Sequence, residues 1–425
     1  MHKTIENLMP INTKCVRCSL CKFPPLTTVE HADFSMICPS YREYKFHSHS
    51  GGGRNIIAIA LKHNRASLSP AARDAIYQCT LCGGCDMTCK YSSDIELVEM
   101  MYALRAETFR QMGPPEGLKE VLHGIEKDGH PLGVKSGKGE WLKEAGLEES
   151  MNGHQTVLLS GDRYALLPDK RKTLVRLANL LKKGGVEFGV FGAHEPTTGR
   201  MALDIGDEET FDRCARKVAE IIRRSGANKV ICADPEDYNA LRAHVPKVTN
   251  LNGVEIVSAV EILNELIKKK KIKPVKSISR KVAYHDPCNL GRLSETYKPW
   301  NGKRKKIMGQ LEVYDPPRPV NRGTNGCYDP PRKILKAVPG LQIIDFPRRR
   351  EYAYCCGGNG LLKSAGFGDF VQKTAAHRVS EARYVGADTI VTACPGCSSN
   401  LSKGSDGNGM TIVDIIDLLA ESVGI

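Results

Sequence analysis

A chain of 425 residues, 41% hydrophobic and only 6% aromatic, is long enough for two or three domains with mainly aliphatic cores and too apolar to be disordered. No stretch approaches about 18 consecutive apolar residues, and the opening MHKTIENLMPINTK lacks the apolar core of a signal peptide, so the expectation is a cytoplasmic protein without a membrane span of its own. The net charge of +13 gathers in KKKKIK (268–273), KRKK (303–306) and RRR (348–350); such runs are solvated faces, or they steer an acidic partner or an anionic substrate, and without interleaved aromatics or a DNA-binding motif they argue against nucleic acid. In a reducing compartment the 16 cysteines are metal ligands rather than a disulfide framework.

The first cysteine run is CVRCSLC, with Cys15, Cys18 and Cys21, followed by Cys38 before Pro39. The second is CTLCGGCDMTC, with Cys79, Cys82, Cys85 and Cys89. A C-x2-C-x2-C loop wraps three thiolates around one face of an iron–sulfur cluster, and the fourth cysteine of each run normally serves the other cluster. One [4Fe–4S] cluster is therefore expected on Cys15, Cys18, Cys21 and Cys89, and a second on Cys79, Cys82, Cys85 and Cys38. Zinc knuckles need no third cysteine in one short loop. The second run departs from the usual pattern in placing Lys90, not proline, after Cys89. Between the runs lie a glycine stretch, 51–53, and a helical segment over 70–77; a helix is expected over 95–111. Residues 1–111 thus read as a largely helical two-cluster, ferredoxin-like domain. Its ligands are all cysteine, so it is a wire with no coordination position open to substrate.

Residues 112–153, rich in Gly, Pro and charge, read as a linker with a short helix over 140–145. Strand and helix signals then alternate: strand 156–161, helix 170–185, strand 186–192, helix 206–226, strand 229–234. The pattern recurs as strand 281–288, turn and helix 328–340, strand 341–347, helix 369–386 and strand 388–394. Overlaying the two copies sets Cys355-Cys356-Gly357 on Thr197-Thr198-Gly199, Cys394-Pro395-Gly396-Cys397 on Asp234-Pro235-Glu236-Asp237, and Leu401 on Leu241. The intervals nearly agree, with 37 residues between Cys356 and Cys394 and 35 between Thr198 and Asp234. Residues 154–275 and 276–425 therefore read as one α/β fold used twice, with cysteines in the second copy only. Cys214 and Cys232 fall at no equivalent place and read as buried small hydrophobes.

HDPC (285–288), CCGG (355–358) and CPGC (394–397) resemble the cysteine-rich CCG domain, which occurs twice in the catalytic subunits of heterodisulfide reductases and related iron–sulfur proteins and is often joined to a two-cluster ferredoxin domain. The resemblance covers nearly the whole chain. It implies an α+β multidomain protein: a helical two-[4Fe–4S] domain, then two α/β CCG-type domains. It also implies a noncubane [4Fe–4S] cluster, which cleaves a disulfide by direct sulfur–iron contact, on Cys288, Cys355, Cys356, Cys394 and Cys397. The first copy lacks the cysteines, so one such cluster is expected. The 66 residues between Cys288 and Cys355 exceed the family spacing; an insert near 293–326 accounts for them, and YDPPR occurs twice, at 314–318 and 328–332. Cys327, after the insert, is the alternative to Cys288 as ligand; Cys288 is preferred because HDPC closes a strand, where α/β sites gather. A four-cysteine zinc site is the competing reading, although it leaves one of the five cysteines spare. His285 reads as a supporting or packing residue, and Arg348, Arg349 and Arg350 as either an anion-attracting group or a solvated turn.

Two functions follow from the resemblance. One is an oxidoreductase subunit passing electrons through the cubanes to or from the noncubane site, which reduces a disulfide of the CoB–CoM type. The other is an electron relay without a substrate of its own, as in ATP-independent benzoyl-CoA reduction or in lactate, glycerol-3-phosphate or succinate oxidation. The Gly-rich stretches 51–53 and 137–139 are no nucleotide motif, so a flavin or quinone site is expected on a partner. The resemblance implies a flavin-containing heterodisulfide reductase A-like subunit or a cytochrome b-type membrane subunit, through which the chain would meet a membrane.

Overall fold

The computed structural model describes residues 2–25, 29, 31–92, 95–135, 137–295, 301–309, 311–317, 323–358, 360–405, 407 and 409–425. Up to Met112 the chain is helical. The helices Gly51–Lys62 and Pro70–Tyr77 start where a serine can cap them: Ser50 accepts from the Gly53 N–H and Ser69 from the Ala72 N–H. The helix Leu97–Met112 buries Leu97, Val98, Met100, Met101, Ala103 and Leu104, nearly all round, and is the axle on which the helices Ile5–Asn12, Gly51–Lys62, Pro70–Tyr77 and Gly84–Ser92 pack. It stops at Gly113, whose φ is 70°.

Residues 112–153 are more than a linker. The helix Glu116–Asp128 buries Leu118, Val121 and Ile125 and ends on Gly129 in the left-handed region. Its apolar spacing is helical, but the flanking Gly and Pro residues hide it. The shorter helix Glu140–Ala145 stands as expected and ends on Gly146 in the same way.

Two four-stranded parallel sheets follow. The first comprises β1 (Thr156–Leu159), β2 (Gly189–Val190), β3 (Lys229–Cys232) and β4 (Glu255–Ser258), in the order β2-β1-β3-β4. Then come β5 (Arg280–His285), a hairpin of β6 (Lys303–Ile307) and β7 (Leu311–Asp315), and the strands β8 (Leu341–Ile344), β9 (Thr389–Thr392) and β10 (Thr411–Asp414). The second sheet has the order β10-β9-β5-β8. Long helices separate the strands, including Pro168–Lys183, Glu208–Ser225 and Gly368–Tyr384. Val157, Leu158, Val230 and Ile231 are fully buried, as in a parallel sheet covered on both faces.

Three sequence expectations change. The strand expected over 186–192 shrinks to Gly189–Val190, and β4 and β10, four residues each, lie beyond the strands read from the sequence. The insert carries the antiparallel hairpin β6–β7, so KRKK lies in a strand and Lys303, Lys305 and Lys306 point into solvent. Of the insert and its first YDPPR, residues 296–300, 310 and 318–322 lie outside the described residues. Among the described residues no helix is long and apolar enough to cross a membrane.

Both sheets register their central pair alike: Leu159 faces Cys232 across β1 and β3, and His285 faces Thr392 across β5 and β9. Counting from these pairs, Asp234 and Cys394 each follow their strand by two residues, and Asp162 and Cys288 by three.

Candidate metal centres

The eight N-terminal cysteines fall into two groups. Cys21 and Cys89 are buried with Ile95 and Leu97, and Cys15 packs against them; Cys18 is exposed in the same loop. Cys38 comes from the loop before Pro39 to stand with Cys79, Cys82 and Cys85. The fourth cysteine of each run thus meets the other run. Burial pushes the Cys38 and Cys89 thiols up to about 12, with neighbouring sulfurs adding to the rise. Thiols so placed give up their protons to a bound cation, whose charge replaces the missing solvent.

Backbone N–H groups are aimed at the sulfurs. Gly52 N–H donates to Cys21 Sγ at 3.3 Å, and Tyr41 N–H, one turn into the helix Pro39–Tyr44, donates to Cys38 Sγ at 3.5 Å. The glycines at 51 and 52 are what the approach requires. A Cβ on Gly51 would lie 2.8 Å from Cys85 Sγ, and one on Gly52 3.0 Å from Cys21 Sγ. Buried Arg54 then ties the Cys38 loop to this helix through Ser40 Oγ and the carbonyls of His49 and Ala75, each at 2.7 Å. Lys90, where proline is usual, ion-pairs with Asp86 and Glu96, each at 3.5 Å.

In the second sheet Cys288 follows β5, Cys394 follows β9, and Cys397 lies in the first turn of the helix Pro395–Ser405. Cys355 and Cys356 come from the loop after the 3-10 turn Arg350–Tyr352. Cys356 Sγ lies 3.2 Å from Cys397 Sγ; Cys397 N–H donates to Cys394 Sγ at 3.4 Å, and Gly357 N–H to Cys355 Sγ at 3.4 Å. Gly357 and Gly358 have φ of 112° and 99°, values side chains rarely adopt. Cys288, Cys356, Cys394 and Cys397 line one small cavity of about 30 Å³. Cys327 is elsewhere: its sulfur lies 3.8 Å from Ser258 Oγ at the end of β4, and its N–H is spent on Leu290 O. The strand β5 therefore delivers Cys288, and not Cys327, to the other four.

A ring nitrogen of His285 lies within 4.8 Å of the sulfurs of Cys356 and Cys397. Burial, then Arg378, pushes its pKa down to about 3, so the ring is neutral. Within the run 348–350 Arg348 is buried, whereas Arg349 is exposed and Arg350 half-buried, and each pairs with a carboxylate. Arg348 is 0% exposed and shares Glu381 with Arg378, likewise 0% exposed; Arg349 pairs with Asp345 and Arg350 with Asp329. Two buried guanidiniums on one carboxylate leave a net positive charge beside the cysteines, and among the described residues Nη2 of Arg378 has no hydrogen-bond partner. This surplus suits an anionic thiolate-bound cluster.

The corresponding places in the first sheet are polar and paired. Thr197 Oγ1 donates to Asp162 Oδ2 at 2.7 Å, and Thr198 Oγ1 donates to Asp237 Oδ1 at 2.6 Å, matching the contact of Cys356 with Cys397. Lys138 enters from the segment before the sheet and ion-pairs with Asp162. Asp162, the counterpart of Cys288, escaped the sequence reading; only the register of Leu159 with Cys232 and of His285 with Thr392 reveals it. Cys214 and Cys232 are buried, as lone small hydrophobes should be.

The N-terminal and C-terminal groups touch. The thiols of Cys82 and Cys355 are neighbours, close enough that each shifts the other's pKa. Beside them Arg292 donates through Nε to Cys82 O at 2.5 Å and through Nη1 to Ala353 O at 2.7 Å and Glu351 O at 2.9 Å.

Comparison with known proteins gives this geometry its relatives. Residues 11–93 match the 4Fe-4S dicluster domain, and residues 320–402 match the cysteine-rich CCG domain. The chain is 29% identical over 362 residues to a subunit of the dihydromethanophenazine:CoB–CoM heterodisulfide reductase of Methanosarcina mazei, covering 83% of this chain and 79% of that one. It is 26% identical over 395 residues to the Bacillus subtilis protein named "Probable iron-sulfur-binding oxidoreductase FadF", covering 88% of this chain but half of that protein. It is 27% identical over 346 residues to the EtfAB:quinone oxidoreductase of Syntrophomonas wolfei, covering 78% of this chain and 43% of that protein. The chain thus joins a 4Fe-4S dicluster domain to a cysteine-rich CCG domain, and over most of its length it is similar to a heterodisulfide reductase subunit and to iron–sulfur oxidoreductases.

Proposed function

We propose that this chain moves electrons through two cubane [4Fe–4S] clusters, on Cys15, Cys18, Cys21 and Cys89 and on Cys38, Cys79, Cys82 and Cys85, to or from a noncubane [4Fe–4S] centre on Cys288, Cys355, Cys356, Cys394 and Cys397. The contact that carries the reading is Cys82 with Cys355, where one proposed cubane ligand meets one ligand of the C-terminal centre. Bound there, the clusters supply one-electron steps, and the C-terminal one also offers iron to a substrate sulfur. The protein's part is to bury the thiolates, aim N–H groups at them and hold the two groups together through Arg292. The domain limits read from the sequence, 1–111, 112–153, 154–275 and 276–425, suit this division, with the first sheet as the same fold without ligands.

The substrate reading is reductive cleavage of a disulfide of the CoB–CoM type, in which two electrons and two protons convert one disulfide to two thiols. A relay without substrate is the second reading. It is favoured by the first sheet, where Asp162, Thr197, Thr198, Asp234 and Asp237 stand in place of a second set of cysteines. It also agrees with the EtfAB:quinone oxidoreductase relative. Either way the chain works beside a flavin-bearing or cytochrome b-type partner in the cytoplasm, meeting a membrane only through it.

Iron and sulfide counting with low-temperature EPR tests the assignment. Three four-iron clusters are expected; zinc, or iron for two clusters only, overturns the noncubane centre. Adding a thiol such as coenzyme M to oxidised protein separates the readings: a changed C-terminal EPR signal favours disulfide chemistry, and an unchanged one the relay.

A further inference from the structure

We propose that His285 donates a hydrogen bond from Nε2 to a sulfur of the C-terminal centre, is held in that role by Arg378, and thereby raises the centre's reduction potential. The inference rests on the noncubane centre proposed above.

His285 closes β5 and is 1% exposed. Its Nδ1 faces the Nε–H of Arg378 at 3.1 Å. A guanidinium nitrogen can only donate, so Nδ1 accepts and carries no proton. The single ring proton therefore sits on Nε2. The ring stands within 4.8 Å of the sulfurs of both Cys356 and Cys397. A nitrogen that carries its proton cannot bind a metal, yet it can donate to a thiolate or sulfide. The same arithmetic removes His285 from the ligand set, since its other nitrogen is covered by Arg378.

Arg378 cannot easily release the ring. Its Nη1 donates to Glu381 Oε2 at 2.6 Å and to Arg348 O at 2.9 Å, and its guanidinium lies 3.4 Å from the centroid of the Phe346 ring. Glu381 is held in turn by the Arg348 backbone N–H at 2.8 Å and by Arg348 Nη2 at 2.9 Å. Swapping the tautomer would set two N–H groups against each other in a fully buried site. A donor to a cluster sulfur stabilises the more electron-rich state, so its loss lowers the potential.

The test is a potential-controlled titration of the C-terminal EPR signal in the wild-type protein, His285→Leu and His285→Gln. His285→Leu is expected to keep iron, sulfide and the signal while its midpoint moves to lower potential; His285→Gln, which keeps an N–H donor, should recover part of the shift. In wild-type protein with isotopically labelled histidine, electron–nuclear resonance should show the weak nitrogen coupling of a hydrogen bond and a proton that exchanges in deuterated buffer. This needs no variant to fold. A strong coupling of a bonded nitrogen, or loss of the C-terminal iron alone in both variants, makes His285 a ligand and overturns the proposal. An unchanged midpoint with no exchangeable proton makes it packing and overturns it as well. Absence of the C-terminal signal from the wild type strikes instead at the centre itself, and the donor role falls with it.

Discussion

Cys288 and Cys327 differ by what surrounds them. Cys288 lines the cavity with three other cysteines, whereas Cys327 has a serine hydroxyl for its neighbour. Cys288→Ser should therefore remove the iron of the C-terminal centre and leave the cubane signals. Cys327→Ser should keep all the iron and cost about 1 kcal/mol of stability. Iron per chain in the two variants decides; iron loss in Cys327→Ser alone would reverse the assignment. Glu381 offers a second test. Burial works to raise its pKa, but Arg378 and Arg348 outweigh that and hold it below the ordinary carboxylate range. Its folded pKa is thus below its unfolded pKa of about 4.3, and the stability it contributes is present above that pH and lost as the pH falls through the lower value. Glu381→Gln should cost about 3–5 kcal/mol near neutrality, since two arginines lose their one carboxylate, and should flatten the acid side of a urea-midpoint-against-pH curve. The cysteines were legible because three thiols in a short loop have few other uses. Asp162 was not, and His285 was legible only as a supporting or packing residue. An aspartate at a helix start is common, and the importance of His285 depends on an arginine 93 positions away.

At the scale of elements, the glycines at 51–53 show why a local signal misleads. Glycine is a poor helix former, so the triplet carries no helix signal of its own. The helix Gly51–Lys62 starts there because its first turn presses on Cys85 and Cys21, where a side chain has no room. Gly51→Ala would put a Cβ 2.7 Å from Cys85 Cβ. The expected result is a loss of about 1–3 kcal/mol and of iron from the cubane held by Cys85, with helix content unchanged. Iron per chain and far-ultraviolet circular dichroism check it; full iron would mean that the helix start simply shifts. The helix Glu116–Asp128 was hidden by the glycines and prolines around it, and β4 and β10 by being four residues long. The longer segments around Pro168–Lys183, Glu208–Ser225 and Gly368–Tyr384 were legible because three or more turns of periodic pattern outweigh such local noise.

Across the whole molecule, the proposed electron path crosses a junction that no single segment announces. Arg292 sits near the start of the insert, yet its guanidinium spans the carbonyls of Cys82 in the dicluster domain and of Glu351 and Ala353 ahead of the Cys355–Cys356 pair. One planar group thus fixes how the N-terminal and C-terminal sulfurs face each other. Lysine keeps the charge but lacks the fork. In Arg292→Lys one or two of these buried carbonyls lose their donor, at about 1–3 kcal/mol each. The cysteines are untouched, so all three proposed clusters should still assemble. What should suffer is the Cys82–Cys355 contact, and with it electron passage between the groups. In rapid-mixing reduction of Arg292→Lys, the cubane signals should appear at the wild-type rate while the C-terminal signal lags by tenfold or more. If both appear together as in the wild type, electrons reach the C-terminal centre by a route that does not depend on this junction.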